Sequence, residues 1–147
     1  MTVIPPFDGV IRQHQQDEHI AWAMLPCACP QNHAANLLPL DDGSLMCVWF
    51  GGSQEGKADI SIWGSRLAPG SDRWSEAVKL SDDPDRSEQN PVLFQAPDNV
   101  LWLLWTAQFA GNQDTAIVRY RLSHDGGRSW GPSIRCWISR VPLFASQ

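Results

Sequence analysis

Ser123-His124-Asp125-Gly126-Gly127-Arg128-Ser129-Trp130 is the stretch that decides the fold. The β-prone run 119–123 leads into it, Asp-Gly-Gly is turn chemistry, and Trp130 opens the return. It therefore reads as the connection of a β-hairpin. Gly126 and Gly127 can take positive φ at little cost. A short aspartate can accept hydrogen bonds from the N–H groups of its own turn, and Ser123 can add a weaker one. Trp130 can fold its ring beneath the turn as an apolar plug. Asp125 is thus expected to hold a turn together, not to react.

Outward from that turn, the chain repeats. Trp130 lies 56 residues after Trp74, and Trp105 lies 56 after Trp49. The same offset relates Leu37 to Leu93, Asp42 to Asp98, Leu45 to Leu101 and Gly70 to Gly126, with no gap between 37 and 136. The earlier copy of the turn, Leu67-Ala68-Pro69-Gly70-Ser71-Asp72-Arg73-Trp74, keeps Gly and Trp but has Pro69 in place of the aspartate. Each copy reads as four strands: 35–40, 45–51, 59–67 and 77–80, then 91–95, 100–107, 115–122 and 133–137. Turn signals at 41–43 and 97–99 separate the first pair in each copy. The runs Leu45-Met46-Cys47-Val48-Trp49-Phe50 and Val100-Leu101-Trp102-Leu103-Leu104-Trp105 are apolar on both faces. Such strands need cover on both sides, and six residues between turn signals is too short for a buried helix.

A 56-residue period of four strands reads as a β-propeller blade. The expected fold is all-β: two four-stranded blades, residues 31–85 and 86–140 of a domain 31–147, preceded by a segment 1–30 with one strand at 20–25. Propellers close with roughly four to eight blades. Two blades therefore suggest a truncated chain or one that closes by self-association through its open flanks.

Composition narrows the function. With 147 residues the chain has room for one domain with a substantial core. A formal net charge of −5 argues against nucleic acid, which selects for basic patches. No apolar run is long enough to span a membrane, and residues 1–18 hold no secretory h-region, so the expected location is the cytoplasm. The cysteines are Cys27, Cys29, Cys47 and Cys136. Cys27-Ala28-Cys29 with His33 nearby has no evident fourth ligand, so neither a metal nor a cofactor is expected.

The spacing Ser-x-Asp-x-Gly-x-Ser-Trp, carried by Ser123, Asp125, Gly127, Ser129 and Trp130, resembles the Asp box of the sialidase (neuraminidase) superfamily. The run 32–45, from Asn32-His33-Ala34-Ala35 to Leu45, resembles that superfamily too, and Trp49-Phe50-Gly51-Gly52-Ser53, Arg86-Ser87-Glu88-Gln89-Asn90-Pro91-Val92-Leu93-Phe94 and Gln113-Asp114-Thr115-Ala116 are similar to stretches of its bacterial BNR-repeat members. The resemblance covers about residues 30–137. It implies a six-bladed propeller, a carbohydrate partner and, where active, exo-glycosidase chemistry. It also implies an arginine triad for the substrate carboxylate. His33 stands where the first of those arginines would be, and an imidazole clamps a carboxylate less well than a bidentate guanidinium.

Blade topology would put the Asp-box turns on one edge. The loops 26–36, 51–58, 81–90 and 108–114 would lie on the other. His33, Asn36, Arg86, Glu88, Gln89, Asn90, Gln113 and Asp114 are the expected substrate-binding residues there. Glycoside hydrolysis uses two carboxyl groups flanking the scissile bond, one with a raised pKa. Glu55, Asp59, Glu88 and Asp114 are candidates. By position in the resembled family, Asp59 is the catalytic acid/base and Glu55 the next choice. The other readings are a propeller that binds carbohydrate, or mediates an interaction, without turnover, and an inactive remnant.

Overall fold

Ten strands make up the regular structure of residues 6–27 and 29–137, the part described by this computed structural model. β1 (Arg12–Gln13) and β2 (Ala21–Trp22) pair as a small hairpin. β3 (Gln31–Pro39), β4 (Leu45–Gly52), β5 (Ser61–Leu67) and β6 (Val78–Lys79) form one antiparallel sheet in chain order. β7 (Ser87–Gln95), β8 (Leu101–Phe109), β9 (Asn112–Ser123) and β10 (Ile134–Arg135) form a second. The two sheets resemble propeller-type blades, and among the described residues no sheet closes into a barrel.

The 56-residue offset holds through the backbone. Pro39 pairs with Leu45, and Gln95 with Leu101; Leu45 pairs with Leu67, and Leu101 with Ser123; Trp63 pairs with Lys79, and Arg119 with Arg135. A bulge falls between His33 and Asn36, and again between Gln89 and Val92. Even the left-handed residues recur: Ala34 (φ 51°) with Asn90 (φ 54°), Gly43 (φ 82°) with Asn99 (φ 65°), and Gly70 (φ 72°) with Gly126 (φ 70°).

The strands differ in extent from the sequence expectation, for local reasons. β3 and β7 begin four residues early, because the bulge lets pairing continue on its far side. β9 begins at Asn112 because Ala110 (φ 44°) and Gly111 (φ 72°) make a tight turn, with Phe109 paired to Asn112. The outer strands β6 and β10 shrink to two residues each. β2 lies within the expected 20–25 strand but pairs with β1, which the sequence did not announce.

The core lies between the sheets. Met46, Val48 and Phe50 from β4 and Ile60 and Ile62 meet Leu93, Leu101, Leu103 and Trp105 of the second sheet. Backbone and side-chain bonds cross the same seam. Glu88 N–H donates to Ile60 O (3.0 Å), Leu93 N–H to Asn36 Oδ1 (2.9 Å), and Gln95 Nε2 to Asp41 Oδ2 (3.2 Å). The other face of β4, with buried Cys47 and Trp49, lies across an apolar cleft from Phe7, Ala23 and Leu25 of the N-terminal segment. That segment is anchored at Gly9, whose carbonyl accepts from Trp74 N–H at 2.9 Å. At φ 72° Gly9 has no room for a side chain, since a Cβ would come within 2.8 Å of Trp74 O.

Candidate functional site

Strand direction sorts the connections onto two edges. The β3–β4 and β7–β8 turns and the two 56-related Asp-box positions share the back edge. The β4–β5 loop, the β6–β7 connection and the β8–β9 turn share the front edge.

The back edge is built as the turn chemistry demands. Asp125 Oδ1 accepts from Arg128 N–H (3.0 Å), Ser129 N–H (2.8 Å) and Ser123 Oγ (2.8 Å), while Gly127 N–H donates to Ser123 Oγ (2.8 Å). The Ser129 hydroxyl, its N–H and the Ser123 hydroxyl hold the Asp125 carboxyl well below the usual carboxylate range. Trp130 packs against the core. The turn also reaches the other sheet. Arg66 donates to Gly126 O, and Asp42 accepts from Arg66 (2.5 Å) and Arg128 (3.2 Å). Gly127 (φ 82°) sits so close that a Cβ would meet Met46 Sδ at 2.8 Å.

On the front edge the expected residues separate into two groups. His33, Glu55, Asp59, Asn90, Gln113 and Asp114 are exposed. His33 stacks on Phe50 at 5.3 Å, beside an apolar cleft of about 340 Å³ lined by Phe7, Leu25, Cys27, Cys47 and Trp49. The Ser53 hydroxyl and N–H hold the Asp59 carboxyl below the usual range, and Asp59 Oδ2 accepts from Ser53 N–H at 3.1 Å.

The second group is engaged in the structure. Asn36 accepts from Leu93 N–H across the seam (2.9 Å). Arg86 donates to Thr115 O (2.9 Å) and lies over the Phe109 ring at 3.7 Å. Gln89 is buried, donates to Ser87 Oγ (3.0 Å) and accepts from Gln108 Nε2 (3.4 Å). Glu88 is 1% exposed, and its Oε1 accepts from the Trp105 indole at 2.7 Å while Oε2 accepts from Asp83 N–H at 3.1 Å. Burial pushes its pKa up, against the hydrogen bonds it accepts.

Sequence reasoning missed Asn32. Its Oδ1 accepts from the Trp49 indole (3.0 Å) and the Cys27 thiol (3.1 Å), and its Nδ2 donates to Cys29 O (2.9 Å). Asn32 and Glu88 are 56 apart, as are Cys27 and Asp83. The signal was present: a polar residue stands 17 positions before the core Trp in both copies. Also unforeseen is a polar cavity of about 400 Å³ between the β6–β7 connection, at Asp82–Arg86, and Arg119 of β9. There Arg119 pairs with Asp83 at 2.7 Å, and the Arg119 Nε has no partner among the described residues. Among the described residues no three His, Cys, Asp or Glu side chains are placed to hold a metal ion. Burial and the neighbouring Cys27 push the Cys29 thiol up to about 11, so it is the protonated thiol at neutral pH.

Residues 43–143 match the family model described as a BNR repeat-like domain. A comparison with curated proteins finds no match.

Proposed function

The chain belongs to the BNR repeat-like family, and from that premise we propose that its front edge binds carbohydrate, with residues 31–85 and 86–140 as two blades of a sialidase-type propeller. The observation that carries this reading is the gathering of exposed hydrogen-bonding side chains on one edge. His33, Glu55, Asn90, Gln113 and Asp114 all reach it, and they come from both sheets. Sugar hydroxyls take such groups as donors and acceptors, while the apolar cleft beside His33 offers cover for ring C–H faces.

Binding fits the electrostatics better than hydrolysis does. A general acid needs a proton to give near neutral pH. Asp59 is held in the opposite direction by Ser53. Glu88 has the raised pKa, but its two oxygens serve Trp105 and Asp83 inside the fold.

The test is saturation-transfer NMR with sialylated and neutral oligosaccharides, beside an aryl-sialoside turnover assay. Sugar signals that weaken in His33→Ala and Asp114→Asn, with no turnover, support the binding reading. Turnover abolished by Asp59→Asn or Glu55→Gln would replace it with the hydrolytic one. No sugar signal from the folded chain would remove both.

A further inference from the structure

The second sheet turns an apolar face outward. Cross-strand partners share a face. The pairs Val92–Leu104, Phe94–Trp102 and Leu104–Tyr120 therefore point together, away from the core. Val92 is 52% exposed and Phe94 41%. Three rings stack into a ladder, Phe94 on Trp102 at 6.0 Å and Trp102 on Tyr120 at 5.3 Å. Thr106, Val118 and Leu122 complete the register. No charged side chain falls on these paired positions, in a chain whose formal charge is −5.

What covers such a face is visible one repeat earlier. Met46 and Val48 occupy the positions of Trp102 and Leu104 in the first sheet, and they are 4% and 0% exposed because a second sheet lies on them. The reverse side of the first sheet, at Cys47 and Trp49, carries the N-terminal segment across an apolar cleft, and only its edge at Leu37 (56% exposed) stays open. A head-to-tail stack of chains would have to strip that segment away. Pairing of like with like uses only surface that is free, and an uncharged face lets two acidic chains approach. We infer that the outward face of the second sheet pairs with the same face of a second copy of this chain about a twofold axis, with Leu104, at the middle of the central strand, beside the axis.

Sedimentation velocity of the full chain over a concentration series tests this, with each variant's thermal melt as the folding control. The native chain should shift from monomer to dimer as concentration rises. Leu104→Glu and Leu104→Lys should each weaken dimerisation by roughly tenfold or more, since a twofold axis sets like charges opposite each other. An equal mixture of the two should restore the dimer, because Lys then faces Glu. Val92→Glu, at a half-open position, should weaken it too and stands in if a Leu104 variant fails to fold. A native chain that stays monomeric at every concentration overturns the inference. In that case protection of Trp102 from a soluble quencher would assign the cover to residues 138–147 of the same chain. Open-ended oligomers, or a mixture that stays monomeric, overturn the twofold mode.

Discussion

Trp49 and Trp105 hold the same place in the two sheets, yet their indoles meet different acceptors in different surroundings. Trp49 donates to the amide of exposed Asn32, and its outer side faces the segment that flanks the small hairpin, Phe7 and Ala23–Leu25, across an apolar cleft. Trp105 donates to the carboxyl of buried Glu88, and a full sheet lies on it. What the repeat preserves is an acceptor opposite the indole, not a residue type. An amide suffices where the segment it tethers is open to water. In the interior the carboxyl is tolerated because both of its oxygens are occupied.

Removing the rings tests that contrast most strongly. Trp105→Ala should cost about 3–5 kcal/mol in denaturant unfolding, because rigid sheets on both sides cannot settle into the void. Trp49→Ala should fall at or below the low end of that span, since the N-terminal segment can move in. Equal losses would erase the difference between the two kinds of cover.

The acceptors come next. Glu88→Ala strands the Trp105 and Asp83 N–H groups and should cost about 1–3 kcal/mol, with Asn32→Ala costing less at its wetter site. The pH dependence carries a sign. The folded pKa of Glu88 is raised from its ordinary 4.5. Its protonated form therefore favours the fold, and that contribution is complete below pH 4.5 and is lost as pH rises through the folded value. Glu88→Gln should flatten this slope in urea titrations run across that window. An unchanged slope would assign the pH dependence elsewhere.

The turns give smaller effects. Asp125→Ala should lower the melting temperature by a few degrees and leave sugar signals at the front edge untouched. Asp42 is held at about 2 against an ordinary 3.8, chiefly by the Ser44 hydroxyl and N–H, with help from Arg66 and Arg128. Asp42 and Asp125 therefore contribute stability above pH 3.8 that is lost as pH falls through their folded values. A double variant with neutral residues at both should show a shallower acid-melting curve. Pro69 stands where the first sheet lacks the aspartate, so Pro69→Ala should stay within about 0.5 kcal/mol of the native chain. A large loss there would mean that the first turn holds its sheet by a route other than the aspartate clip.

The 56-residue offset was legible because tryptophans and glycines mark it, and it carried the sheets, their order and the two turn edges. The bulges were not legible. Ala34 and Asn90 take left-handed angles imposed by the pairing around them, and Pro91 disguised the true start of β7. The outcome at the candidate site divides along the same line. Exposed residues such as Gln113 and Asp114 could be assigned to the front edge by topology alone, although they open β9 instead of lying in a loop. Whether Glu88, Gln89 and Arg86 point to solvent or into the fold depends on contacts with residues 17 to 29 positions away, which spacing does not encode. The clasp of Asp42, Arg66 and Arg128 escaped notice because its members come from three separate turns and strands.

The unbroken offset has a kinetic side. Units of equal register that touch only their neighbours behave as a short one-dimensional array, whose melting begins at the ends and propagates inward. The two-residue strands β1, β2 and β10 lie at those ends, and the Met46–Val48–Leu103–Trp105 seam lies at the centre. Amide hydrogen exchange should therefore be graded along the chain: fastest in the hairpin and at β10, slowest in β4 and β8, with protection there approaching the global unfolding free energy.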